Sequence, residues 1–181
     1  LKIPVFVSFP NPHTKEQLLF IQQLKNMLIE KDLEPRTLGI SDYDLDAPLR
    51  AIRRLMMESY GIIGIAFKRT LIKEGVFKAY ANIEGITPQP ITEKWITSPF
   101  CQIEPAMAFQ MGLPIMLLRE KDVIEDGIFE KGVLGAYLPQ FDITDPKNNY
   151  LNSEEWKQMF GKWERQVKSA YEKKGEPPRL Y

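Results

Sequence analysis

Gly61-Ile62-Ile63-Gly64-Ile65-Ala66-Phe67 is apolar at every position, as a parallel strand covered on both faces has to be. A strand of that kind belongs at the centre of a sheet with helices above and below it. The flanking chain agrees. Upstream, Asp46 to Tyr60 reads as a helix with Leu49, Ile52, Leu55 and Met56 on its buried side. Before it come a loop over 39 to 46 and a shorter, more polar strand, Leu33 to Leu38, suited to a sheet edge. Thr14 is placed to cap a helix that runs to Lys31 with Leu18, Ile21, Leu24 and Leu28 on one face. Lys2 to Phe9 is a β-branched first strand that empties into Pro10-Asn11-Pro12.

Downstream, residues 68 to 97 mix charge with apolar residues and carry prolines, and read as an irregular excursion above the sheet. Ser98 then serves as N-cap and Pro99 as first residue of a third helix, which Gly112 ends. Ile103, Met107 and Met111 recur at four-residue spacing, with Cys101, Glu104 and Ala108 on an adjoining stripe. Ile115 to Leu118 is the next strand. After a second excursion with a helical turn or two between Val123 and Gly132, Ala136 to Ile143 is the last. Asn152 or Ser153 caps a final amphipathic helix at about 152–174, with Trp156, Phe160, Trp163, Val167 and Tyr171 in one stripe and Pro177-Pro178 beyond it. The alternation predicts one α/β domain over residues 1–181: a flavodoxin-like three-layer sandwich around a parallel sheet of order 2-1-3-4-5. Ligands then bind beyond the carboxyl ends of the first and third strands, where the winding reverses.

Composition narrows the chemistry. With 24 basic and 24 acidic residues the chain has no global field to attract nucleic acid or an anionic membrane. A single cysteine, Cys101, excludes an internal disulfide and suits a reducing, cytoplasmic location. With only His13 beside it, no structural zinc set is available. No apolar run approaches the ~20 residues of a membrane span. Asp42, Asp44 and Asp46 lack the glycine and distal glutamate of a calcium loop, so no metal is expected. There is no glycine-rich dinucleotide fingerprint and no phosphate-binding loop.

Glu104 is the acid that stands out. It lies within two turns of a helix start, where the dipole lowers a carboxyl pKa and partial burial raises it. Cys101 shares the helix N-terminus, which favours a thiolate, yet a buried small apolar role fits it better because nothing brings His13 to it. Ser8 and Phe9 leave the first strand where a ligand would arrive. Arg50, with Arg53 and Arg54, marks a basic cluster at the start of the second helix.

Two segments resemble a known family. Val5-Phe6-Val7-Ser8-Phe9 resembles the first box of Toll/interleukin-receptor (TIR) domains, whose opening strand reads hydrophobic-Phe-hydrophobic-Ser-Phe or Tyr. Ser98-Pro99-Phe100-Cys101-Gln102-Ile103-Glu104 resembles their Ser-x-Trp-Cys-x-x-Glu segment, with Phe100 in place of tryptophan. The similarity covers roughly residues 2 to 145, with the long excursion at 71 to 97 and the segment 119 to 135 as departures.

The resemblance implies a flavodoxin-like fold, a homo-oligomer, and, as in many bacterial and plant members, cleavage of the nicotinamide–ribose bond of NAD in defence or signalling. NAD is then a substrate, and no cofactor is implied. Glu104 matches the catalytic glutamate that engages the ribose hydroxyls, and Phe9 the aromatic position near the nicotinamide. Tyr43 joins Phe9 as a candidate for ring stacking, Ser8 and Arg50 as polar or phosphate contacts, and Phe100 and Cys101 as neighbours of the substrate. Hydrolysis and cyclisation both remain open. The run Ala106 to Pro114 after Glu104 also resembles the nucleoside 2-deoxyribosyltransferase-like group, in which the glutamate is a nucleophile for transfer between bases. A non-catalytic TIR-type adaptor, self-associating through the loop 39 to 46 and the aromatic C-terminal helix, is the third reading.

Overall fold

The computed structural model describes residues 2–40, 42–135, 137–144 and 149–174. Five strands form one parallel sheet: β1 (Ile3–Ser8), β2 (Leu33–Arg36), β3 (Ile62–Ala66), β6 (Ile115–Glu120) and β7 (Gln140–Phe141). Their order is β2-β1-β3-β6-β7. Counted along the chain within this sheet alone, that is the expected 2-1-3-4-5. Helices α1 (Lys15–Glu30) and α4 (Glu154–Glu172) cover one face. Helices α2 (Pro48–Met57) and α3 (Phe100–Gln110) cover the other. β3 is buried along its whole length, as its composition requires.

The caps explain where the helices begin and end. Thr14 accepts the Gln17 N–H at the start of α1, and Ser153 accepts the Trp156 N–H at the start of α4. At the far end of α3, Gly112 takes φ of 70°. Its N–H donates to Phe109 O while Leu113 N–H donates to Ala108 O, a Schellman closure that turns the chain into β6. The stripe Trp156, Phe160, Trp163 and Val167 is core, packed through stacked and edge-on rings. Pro177-Pro178 lies outside the described residues, as does Ala136, where the last strand was expected to start.

Several local expectations are corrected. Residues 68 to 97 are no irregular excursion: β4 (Thr70–Phe77) and β5 (Gln89–Ile96) form an antiparallel ribbon. Pro90 is tolerated in it because a two-stranded ribbon consists of edges. The ribbon is fastened at its base, where Trp95 N–H donates to Asp122 O and Ile124 N–H donates to Trp95 O. The N-cap of α3 is Pro99, one residue later than read, and Ser98 Oγ instead accepts the Phe100 N–H at 3.3 Å. α2 is shorter than Asp46 to Tyr60, and Leu49 is exposed while Ala51 takes the buried position. On α1, Leu18 is exposed and Gln17 and Phe20 face inward. β7 has two residues only, and the helical turn between Val123 and Gly132 is a short 3-10 turn, Gly127–Phe129.

Candidate active site

The inward face of α3 is formed by Cys101, Glu104, Pro105 and Ala108. The other stripe, Ile103 with Met107 and Met111, is the more exposed one. The reason lies beneath. Ser8 and Gly64 are register partners on β1 and β3, and Gly64 offers no side chain, so α3 settles directly onto the sheet. Glu104 therefore sits in the second turn of α3, against the carboxyl halves of the two central strands, and is only 8 % exposed.

Four side chains meet there. Ser8 hydroxyl, at the end of β1, lies beside both the Cys101 thiol and the Glu104 carboxyl, and Thr97 hydroxyl, between β5 and α3, lies beside the thiol. The thiol itself donates to Ile65 O at 3.6 Å. Ser8 Oγ and Thr97 Oγ1 are both buried, yet neither reaches hydrogen-bond geometry with any of the described residues. A buried hydroxyl left unpaired costs about 1–3 kcal/mol. One of them stands next to the Glu104 carboxyl and the other next to the Cys101 thiol, which makes this buried cluster polar.

Electrostatics sharpen the picture. Burial pushes the Glu104 carboxyl up to about 7, against the opposing pull of the Ser8 hydroxyl. Desolvation is the dominant cause, and no cationic side chain among the described residues offsets it. Burial, and then the Glu104 charge, push the Cys101 thiol up to about 12. The thiol is therefore held in its protonated form, and the residue is 1 % exposed.

The candidate residues thus divide. Ser8, Cys101 and Glu104 come together. Phe100 stands at the start of α3, 41 % exposed. Phe9 packs against the α1 side of the core, with the Lys25 ammonium 5.6 Å from its ring centroid. Adjacent residues at a strand end face opposite ways, which separates it from Ser8. Tyr43 is 83 % exposed and borders a hollow of about 160 Å³ shared with Arg36, Asp42 and Glu58. Arg50 is exposed on α2. Arg54 from the same basic cluster is committed to Asp44 and Asp46, and Arg36 to Asp42 and Glu58. Among the described residues no group of three acidic, histidine or cysteine side chains is placed to hold a metal.

Thr97, which with Ser98 forms the polar entry to α3 in the sequence, closes the buried cluster from the ribbon side. One residue that matters here was not singled out in the sequence. Glu120, only 3 % exposed at the end of β6, accepts the Lys68 N–H at 2.8 Å and the Gln17 amide at 3.4 Å. Gln17 also donates to Lys68 O at 3.0 Å. This network locks α1, the exit of β3 and the end of β6 together. The one hint in the sequence is an acid directly after an apolar strand.

No protein-family model matches the chain, and no curated protein matches it. The similar solved structures include these two. One is the Clostridium botulinum CMP N-glycosidase BcmB, with TM-score 0.46 and 19 % identity over 82 % of this chain and 94 % of that one. The other is the TIR domains of the activated Roq1 resistosome directly recognizing the pathogen effector XopQ, with TM-score 0.42 and 15 % identity over 96 % of this chain and 86 % of that one. The architecture, a five-stranded parallel sheet with helices on both faces, rests on the chain's own strand pairing, and these two likenesses say nothing about the site.

Proposed function

We propose that this chain cleaves the N-glycosidic bond of a nucleotide, with NAD as substrate and Glu104 as the catalytic residue. One observation carries the reading: a carboxyl buried at the switch point of a parallel sheet, without a cationic partner among the described residues, beside the buried Ser8 hydroxyl. Breaking such a bond passes through an oxocarbenium-like state, and an ionised carboxylate held in a water-poor site stabilises that charge strongly. The bond electrons go to the nicotinamide nitrogen, which is already positive, so nicotinamide leaves neutral without a general acid. Water then adds to the anomeric carbon and loses its proton. A site with one acid and no histidine is sufficient for this chemistry. The NAD assignment and a role in defence or signalling rest on the two TIR-like segments. Self-association belongs to the same reading, and the exposed Tyr43 and Leu45 are the surface we assign to it.

The test is release of free base by wild type and Glu104→Gln, at high protein concentration, from NAD, cytidine monophosphate and a deoxynucleoside offered with a second base. Nicotinamide release that is lost in the variant is expected. Base transfer with NAD left intact would move the assignment to the transferase reading. Release from NAD that is unchanged in Glu104→Gln, or absent from the wild type, would leave the proposal without support.

A further inference from the structure

Lys68, where the chain leaves β3, is pinned through its backbone and left open at its tip. The pinning comes from the α1 side of the sheet: Glu120 Oε2 accepts the Lys68 N–H at 2.8 Å and the Gln17 amide donates to Lys68 O at 3.0 Å. The side chain goes the other way. Its ammonium lies 5.9 Å from the ring centroid of Trp95, and Trp95 packs on the cluster that holds Ala66 and Cys101. Trp95 and Thr97 both turn inward at the end of the ribbon, while Ile96 between them is 46 % exposed. Thr97 lies beside the Cys101 thiol. Lys68 therefore reaches the same side of the sheet as Glu104, beyond the carboxyl ends of β3 and β6.

Lys94 meets it there. Asp122 stands between the two ammonium groups, 3.8 Å from Lys68 Nζ and 3.7 Å from Lys94 Nζ. A charge-assisted hydrogen bond runs at about 2.7–2.9 Å, and neither ammonium makes one to any described residue. Each has three N–H donors to satisfy, yet the Lys68 side chain is only 18 % exposed. Glu120, the other acid at this strand end, is engaged by the Lys68 N–H and the Gln17 amide. One carboxylate thus faces two cations.

We propose that Lys68 and Lys94 form the subsite for a phosphate group of the nucleotide, so that the site takes phosphorylated substrates in preference to bare nucleosides. The proposal rests on the reading of Glu104 as the group that acts on the sugar. Phosphate is selected over carboxylate because it carries more oxygens and more charge than Asp122 offers, and so accepts from both ammonium groups at once. The anchored Lys68 backbone and the Trp95 ring fix one of the two charges before substrate arrives, which lowers the ordering cost of binding.

Two measurements on the full chain test it. In the first, inorganic pyrophosphate is titrated calorimetrically at low salt, a readout that needs no turnover. Wild type is expected to bind it saturably. Lys68→Met, which keeps the apolar stem, and Lys94→Met, a change at a half-exposed side chain, are each expected to bind about tenfold more weakly, the lower end of what a hydrogen bond to a charged group contributes. Asp122→Asn is expected to bind more tightly than wild type, since it removes the competing anion while asparagine tolerates the φ of 69° found there. In the second, base release from nicotinamide riboside is compared with and without its phosphate. Wild type is expected to prefer the phosphorylated form, and the ratio of the two kcat/KM values is expected to fall about tenfold in Lys68→Met. No saturable pyrophosphate binding by wild type, equal binding by wild type and both lysine variants, or equal base release from the two substrates would each overturn the subsite. Failure of the Glu104 reading looks different: pyrophosphate binding that depends on both lysines, in a chain that releases base from neither substrate, would uphold the anion site and remove the assigned chemistry.

Discussion

Pro105 rests on Gly64: a β-carbon built on the glycine would lie 3.1 Å from Pro105 Cγ and 2.7 Å from Leu117 Cδ2. The contact brings α3 close to β3 and so places the next residue back, Glu104, over the end of β1. Both neighbours belong to the packed interior and have little room to yield. Gly64→Ala is expected to cost about 1–3 kcal/mol, the range for one extra group in a close-packed core. Urea unfolding would show it as a lower midpoint with unchanged slope, and turnover is expected to fall as α3 lifts.

Glu104 couples stability to pH. Its carboxyl is raised from 4.5 to about 7 in the folded chain, so between those values the folded state holds more protons than the unfolded one. Stability is full below pH 4.5 and is lost as pH rises through 7. The shift corresponds to about 3 kcal/mol. Glu104→Gln, which cannot ionise, is expected to be more stable than wild type at pH 8 by that order and to show no such gain at pH 4. Denaturant midpoints at the two pH values check this.

The same titration shapes the proposed reaction, in which the ionised form acts. kcat/KM is expected to rise through an apparent pKa near 7 and then level off. Ser8 hydroxyl pulls the Glu104 carboxyl downward, so Ser8→Ala is expected to move that limb to higher pH. Ser8 Oγ and Thr97 Oγ1 reach hydrogen-bond geometry with no described residue, so at pH 5, where Glu104 is protonated, Ser8→Ala and Thr97→Val are expected to leave stability unchanged or slightly improved, while turnover at pH 8 falls. A stability loss of several kcal/mol in either variant would mean the hydroxyls are structural.

Glu120 holds the base of the ribbon. Removing its carboxylate in Glu120→Ala strands the half-buried Lys68 N–H and leaves the Gln17 amide with Lys68 O alone, and an unmet donor of this kind costs about 1–3 kcal/mol. Limited proteolysis between Lys78 and Pro88, at the turn joining β4 and β5, is expected to be faster in this variant than in wild type.

The layered fold was legible because periodicity reports burial. β3 reads as central from composition alone, and α4 from a stripe of rings four and three residues apart. The ribbon was not legible. Its strands are exposed on most positions, so they lack the alternation that a half-buried strand shows, and Gly75, Pro88 and Pro90 read as loop.

The local order of strands and helices, and the presence of one acid early on α3, follow from the chain itself, since side-chain spacing and capping are local properties. Which face of α3 turns inward depends on Gly64 lying under it. Glu104 is buried because a distant strand approaches. Those are matters of what packs against what, and packing between segments far apart in the chain is settled only when the tertiary structure closes.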